Sequence, residues 1–290
     1  MKIIDLIKRL IKGDTCIDEI LEKFKGRLKH RCNHSKIIVK SRNFPRVIRY
    51  VYHRAFEKPG VTVVKGKKIY LMMSSMIETK RLDTYGTKEP ETLEWIENFD
   101  DNSVFFDIGA NIGIYTLFAA SQLEKRLKIY SFEPESLNFS SLNRNVVINS
   151  FSESVNLNSI AITGGKSRFS SLNVYNFFSG GNCSQFDAEI ESPIMHRQGV
   201  FGVSLDDLCM IWGFPQPNYI KIDVDGIEMK VISGARKVLK NPNTKSVLIE
   251  LRKNDFQRNQ DAILFFKDCG FKIEKISDRV GQDPNYIFSR

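Results

Sequence analysis

The 290-residue sequence predicts an α/β fold: a mostly parallel sheet covered by helices, its last strand antiparallel, preceded by a basic and mainly helical N-terminal extension. Three observations carry this. Val104 to Gly113 reads VFFDIGANIG, an apolar strand run closed by Asp107, a turn bracketed by Gly109 and Gly113, and then a helix start. From about residue 90 onward, strand-length apolar runs alternate with helix-length amphipathic runs, the pattern of a parallel sheet with covering helices. The charge is also uneven: residues 1–58 hold 16 Lys and Arg against 6 Asp and Glu, a net of +10, whereas the remainder holds 27 against 28, a net of −1.

Composition sets the bounds. Hydrophobic content of 42% and charged content of 27% are those of an ordinary globular chain, long enough for one α/β domain of about 200 residues with appendages. Cys16, Cys32, Cys183, Cys209 and Cys269 are odd in number, widely separated and without a C-x-x-C pair, which predicts a reduced, cytoplasmic protein. No apolar run approaches the roughly 20 residues of a membrane span, and the N-terminus lacks a signal-peptide core.

In chain order, Met1 to Lys12 puts Ile3, Ile4, Ile7, Leu10 and Ile11 on one helical face and Lys2, Asp5, Lys8, Arg9 and Lys12 on the other. Such a face either lies in an anionic membrane surface or packs on protein. Lys25 to Arg54 is basic with interleaved aromatics; its His30, Cys32 and His34 match no structural zinc spacing. Val61 to Val64 and Lys68 to Met72 flank KGK and predict a hairpin, followed by a connector and a helix from Pro90 with Leu93, Ile96 and Phe99 on one side. The alternation then runs through strands at 104–107, 128–132, 155–162, 219–224 and 246–251, with helices from Ile114, at 135–149, 204–212, 227–239 and 255–269. Two closing strands at 271–276 and 285–289 are joined by a short loop, so the last runs antiparallel. Residues 163–202, rich in Gly, Ser and Asn, break the rhythm and predict an inserted flap. The boundaries that result are an extension at 1–58, a hairpin and connector at 59–86, and the main domain at 87–290.

The turn selects a ligand class. A pyrophosphate fingerprint needs G-x-G-x-x-G, but here Asn111 stands between Gly109 and Gly113 and the outer glycines are one residue closer; no Walker sequence occurs. Glu133, one strand on, is placed to take both hydroxyls of a ribose. Ribose without pyrophosphate points to an adenosine-type ligand such as S-adenosylmethionine.

Together, the order of elements and four motifs resemble the FkbM-type family of class I S-adenosylmethionine-dependent methyltransferases, with its Rossmann-like sheet. The motifs are Asp107-Ile-Gly-Ala-Asn-Ile-Gly113; Phe132-Glu-Pro134 with the helix bearing Asn138, Asn145 and Asn149; Ser204-Leu-Asp-Asp207; and Lys221-Ile-Asp-Val-Asp-Gly226 with Glu228 and the later Ile249-Glu250. The likeness covers about residues 85–290. Asp225 departs from it, since the family more often has glutamate there. The resemblance implies that Asp107, Gly109, Asn111 and Gly113 surround the methionine end and ribose of the cofactor. It also implies that Glu133 binds the ribose, that adenine lies near Ser159 to Ala161, and that the acceptor is a hydroxyl of a saccharide, glycan or glycolipid.

Methyl transfer to an alcohol needs the acceptor oxygen held in line with the methyl group and a destination for its proton. Asp223, at the carboxyl end of the central strand, is the candidate catalytic residue. Asp225 and Glu228 fit a capping box, D-G-I-E, and His196 in the flap is the one histidine outside the basic segment. Asp223 and Glu250 end adjacent strands and would suit a shared divalent metal, but a third clear ligand is lacking, so no metal is predicted. Rival readings are a ribose 2′-O-methyltransferase of nucleic acid that uses the basic extension as a clamp, and a non-catalytic binding module of the same fold. The first reading makes the extension a dock on an anionic membrane surface.

Overall fold

The described chain opens on a hairpin, Gly60–Val64 (β1) paired antiparallel with Lys67–Leu71 (β2). The structure is a computed structural model and describes residues 59–175, 179–181, 184–186, 194–277 and 283–290. The amphipathic helix expected at the start of the chain and the His30, Cys32 and His34 group lie outside those residues.

Within the stretch read as a connector, Met76–Asp83 forms a helix (α1). Ser75 caps it by accepting from the Glu78 backbone N–H, while the Glu78 carboxylate accepts from the Ser75 backbone, the reciprocal pattern that satisfies two orphan donors. Pro90–Glu97 (α2) follows, started by Pro90 at its first position.

Val104–Ile108 (β3), Lys128–Phe132 (β4) and Val155–Asn158 (β5) are separated by Ile114–Ala120 (α3) and Ser136–Ile148 (α4). The strand expected at 155–162 is two strands. β4 ends at Phe132, opposite Asn158, so the chain beyond has no partner in that sheet; Ala161–Ile162 (β6) pairs elsewhere. The expected flap is a second sheet, in which β6, Arg168–Val174 (β7), Ser184–Phe186 (β8) and His196–Val203 (β9) stand in the order β6-β9-β7-β8.

Leu205–Met210 (α5) leads to Tyr219–Ile222 (β10), and Glu228–Ser233 (α6) and Arg236–Lys240 (α7) replace the single helix expected at 227–239, divided at Gly234. Ser246–Glu250 (β11), Phe256–Asp268 (α8), Lys272–Ile276 (β12) and Asn285–Ser289 (β13) complete the chain. The main sheet has seven strands in the order β12-β13-β11-β10-β3-β4-β5. Its β11-β10-β3-β4-β5 ladders are parallel and β13 is antiparallel to both neighbours, a Rossmann-like doubly wound arrangement.

Alternation along the strands fills both faces. Phe106, Ile108, Ile220, Ile222 and Val247 join one buried cluster with α5 to α8 and the second sheet, while Phe105, Tyr219, Leu248 and Ile287 join another with α2, α3 and the hairpin. The asparagines of α4 stitch the second face together. Asn145 accepts from Met72 N and donates to Ile112 O, both at 2.8 Å, and Asn149 accepts from Tyr70 N at 2.9 Å, so the hairpin, α4 and the glycine turn are fixed to one another.

Candidate functional site

The glycine turn leaves β3 at the carboxyl edge of the sheet, where open α/β sheets place their ligands. Gly109 has φ of +78°, and a Cβ there would lie 1.9 Å from the backbone oxygen of Asp223, so only glycine lets the turn lie against the end of β10. Gly113 has φ of +93° and caps α3; a Cβ there would press 2.5 Å from Leu142. Both positions need glycine for their positive φ, and Gly109 also for the close approach of the β10 backbone.

A cavity of about 260 Å³ opens above this edge, lined among others by Gly109, Asn111, Glu133, Asp223 and Glu250. Asp107 and Gly113 are not in its lining. Asp107 is fully buried beneath it; its Oδ2 accepts from Thr116 Oγ1 at 2.6 Å, its Oδ1 has no hydrogen-bond partner, and burial raises its pKa above the carboxylate norm. The structure thus brings together Gly109, Asn111, Glu133 and Asp223 in one cavity, and sets Asp107 and Gly113 behind them.

Glu133 is the buried wall of that cavity. Its Oε2 accepts from Asn111 N at 2.8 Å and its Oε1 from Glu135 N at 2.9 Å, so the loop after β4 and the turn after β3 close on one carboxylate. Burial pushes its pKa up to about 7 against these two donors. Asn111 adds a second tie, donating from Nδ2 to Gly181 O at 2.9 Å; Asn138 Nδ2 donates to the same oxygen at 3.2 Å, and Gly180 N donates to Asn138 Oδ1 at 2.8 Å. Residues 179–181 are therefore strapped beside the turn.

Asp223 lies on the opposite side of β3. Its Oδ2 accepts from Lys221 Nζ at 2.7 Å, with the lysine side chain 1% exposed and the aspartate 33%. Lys221 Nζ rests 4.6 Å from the ring centroid of Tyr115. Burial works to lower the Lys221 pKa, but Asp223, Asp107 and Glu89 outweigh it and hold the ammonium charged. Tyr115 is half-buried, and desolvation and Glu89 drive its pKa well up, so its hydroxyl stays protonated.

Sequence reasoning assigned nothing to Tyr115, Glu89, Arg81 or Lys88. Lys221 it singled out as part of a motif, without the buried pairing. The expected capping box at Asp225 and Glu228 is absent: α6 has no side-chain cap, and Glu228 instead accepts from Gly226 N at 2.8 Å and Arg258 Nη2 at 2.9 Å. Asp225, Glu250 and Asp283 line the cavity, while His196 starts β9 and is exposed outside the lining. Among the described residues, no group of three or more His, Cys, Asp and Glu is arranged to hold a metal ion. No helix among them is long and apolar enough to cross a membrane.

A family model described as a methyltransferase FkbM domain matches residues 107–273. A curated relative, the hexuronic acid methyltransferase AglP of Haloferax volcanii, is 22% identical over 242 residues, covering 81% of this chain and 90% of the relative. Among solved structures, an FkbM methyltransferase from Methylobacillus flagellatus aligns with a TM-score of 0.47 and 15% identity over 74% of this chain and 56% of that one. Aeropyrum pernix fibrillarin with natively bound S-adenosyl-L-methionine aligns at 0.46 and 11% over 81% and 84%.

Proposed function

The chain belongs to the FkbM methyltransferase family, and from that premise we propose that it methylates a hydroxyl oxygen of a saccharide, glycan or glycolipid with S-adenosylmethionine as donor. One observation carries the reading: Gly109, Asn111, Glu133 and Asp223, drawn from three neighbouring strand ends, face a single cavity. When bound, the donor supplies a methyl group on a sulfonium, a good leaving group that needs no further activation.

The residues present fit such a donor. Glu133 offers two carboxylate oxygens, each already accepting one backbone N–H and each with a further lone pair for a ribose hydroxyl. Asp223 offers one partly exposed carboxylate whose charge is balanced from below by Lys221. Its part is to orient the acceptor hydroxyl and take its proton as the oxygen loses it. Lys221 is held in turn against the ring of Tyr115.

A saccharide acceptor is supported by the name of the Haloferax relative, a hexuronic acid methyltransferase. The net +10 of residues 1–58 suits docking on an anionic membrane where a lipid-linked glycan would be met. The test is incubation of the full chain with methyl-labelled S-adenosylmethionine and separate glycan, glycolipid and RNA fractions. Label should appear in a glycan or glycolipid fraction; label in RNA alone would overturn the acceptor.

A further inference from the structure

The cavity has two unlike ends. On the β5 side its wall is apolar, made by Ile160, Ala161, Ile162, Leu172 and Phe186. On the β10 and β11 side it is acidic, with Asp223, Asp225, Glu250 and Asp283. Glu133 stands between them. Two cations complete the described lining, Arg81 of α1 and Lys88 of the segment before α2, and both precede the residues that the family model matches.

We propose that Arg81, with Lys88 beside it, is the subsite for the carboxylate at the methionyl end of the cofactor. This rests on the S-adenosylmethionine reading. With a planar base on the apolar side and the ribose at Glu133, the rest of the donor extends across β3 toward Asp223. That end carries three charges: a sulfonium, an ammonium and one carboxylate. The acidic wall matches the two cationic groups. The carboxylate, set among four acids, is repelled unless a cation meets it.

Arg81 is placed to do so. Its Nε and Nη2 both donate to Gly180 O, at 3.1 and 2.9 Å, and the next carbonyl, Gly181 O, is the one Asn111 of the glycine turn holds. The guanidinium is thus fixed one residue along the strap from the turn. It lines the same cavity as Asp223 and Glu133, and its charge also reaches Tyr115, the ring on which Lys221 rests. Lys88 stands 3.3 Å from Glu89, which in turn acts on the same Tyr115. A guanidinium suits a carboxylate because its planar fork presents two parallel donors.

The experiment compares S-adenosylhomocysteine with 5′-methylthioadenosine, which has the same adenosine and thioether but no amino-acid end. Calorimetry on the full chain should show wild type binding both. Arg81→Gln should weaken S-adenosylhomocysteine about tenfold and leave 5′-methylthioadenosine within about twofold, since a charge-assisted pair of hydrogen bonds is lost from one ligand only. Lys88→Met, at an exposed position and with no tie to the strap, should weaken S-adenosylhomocysteine about threefold at low salt. Equal weakening of both ligands by Arg81→Gln overturns the proposal, because Arg81 would then serve only to hold Gly180. Unchanged affinity for both also overturns it and leaves the basic wall to an acidic acceptor. If wild type binds neither ligand, the methyl-transfer reading itself fails and takes the subsite with it.

Discussion

Glu133 and Asp223 each follow a strand that flanks β3, and each turns its carboxylate into the same cavity, yet they are built in opposite ways. Glu133 is 6% exposed and held by two backbone N–H groups, with no ion pair to it among the described residues. Asp223 is a third exposed and stands on a buried ammonium. Position at the sheet edge is common to both; what lies beneath each carboxylate decides its chemistry. Burial, working against its two N–H donors, makes Glu133 a poor home for charge, whereas Asp223 has a cation set directly against it at the reacting end.

The largest effect should come from removing that support. Lys221→Met leaves Asp107 fully buried beside Asp223 with no cation between them, and breaking a buried charged arrangement from one side costs about 3 to 5 kcal/mol. Chemical denaturation should show a fall of that order; a change below about 1 kcal/mol would mean the lysine is not what balances the two acids. Next in size is Asp223→Asn. Loss of a proton acceptor should lower turnover about hundredfold, far more than it lowers cofactor affinity, because most of the loss falls on the transition state. Full turnover in that variant would erase the contrast between the two carboxylates.

Glu133→Ala tests the other side. With the carboxylate gone, a bound ribose loses its acceptors and Asn111 N loses its own, so S-adenosylhomocysteine should bind about 2 kcal/mol more weakly in calorimetry. Unchanged affinity would place the ribose elsewhere.

Much of this contrast is legible in the sequence, and the reason is locality. A strand run, a glycine turn and an acid at the end of the next strand are each set by a few adjacent residues, so Gly109, Glu133 and Asp223 can be picked out before any fold is known. Lys221 is harder to weigh, because its burial depends on Tyr115 from a helix more than a hundred residues earlier and on Asp107 in the neighbouring strand. Arg81 is harder still: α1, MIETKRLD, has no apolar stripe to announce a helix. Its one local signal is Ser75-x-x-Glu78, a capping box, while the similar pattern at Asp225 to Glu228 caps nothing. The second sheet is opaque for another reason: its strands, such as β7 and β9, start exposed and bury only their last few residues, without the period-two alternation that marks a strand, and are recognised only by the pairing they make.

The smallest effect separates the two carboxylates by pH. Glu133 has its folded pKa raised by burial from 4.5 to about 7, so between those values the folded chain binds more protons than the unfolded one. Stability of the ligand-free protein should then decline as pH rises through that window, and Glu133→Gln should flatten the slope. Cofactor affinity should move the other way. Both Glu133 oxygens already face N–H donors, so a proton on either one opposes a donor and removes an acceptor a ribose hydroxyl would use. Binding therefore favours the ionised form. Affinity for S-adenosylhomocysteine should rise by up to about tenfold per pH unit below 7 and level off above it, with a proton released on binding. Calorimetry near pH 6.5 in buffers of different ionisation enthalpy measures that proton directly. A binding enthalpy independent of buffer would show that Glu133 is already ionised in the free protein, and that its two backbone donors outweigh its burial.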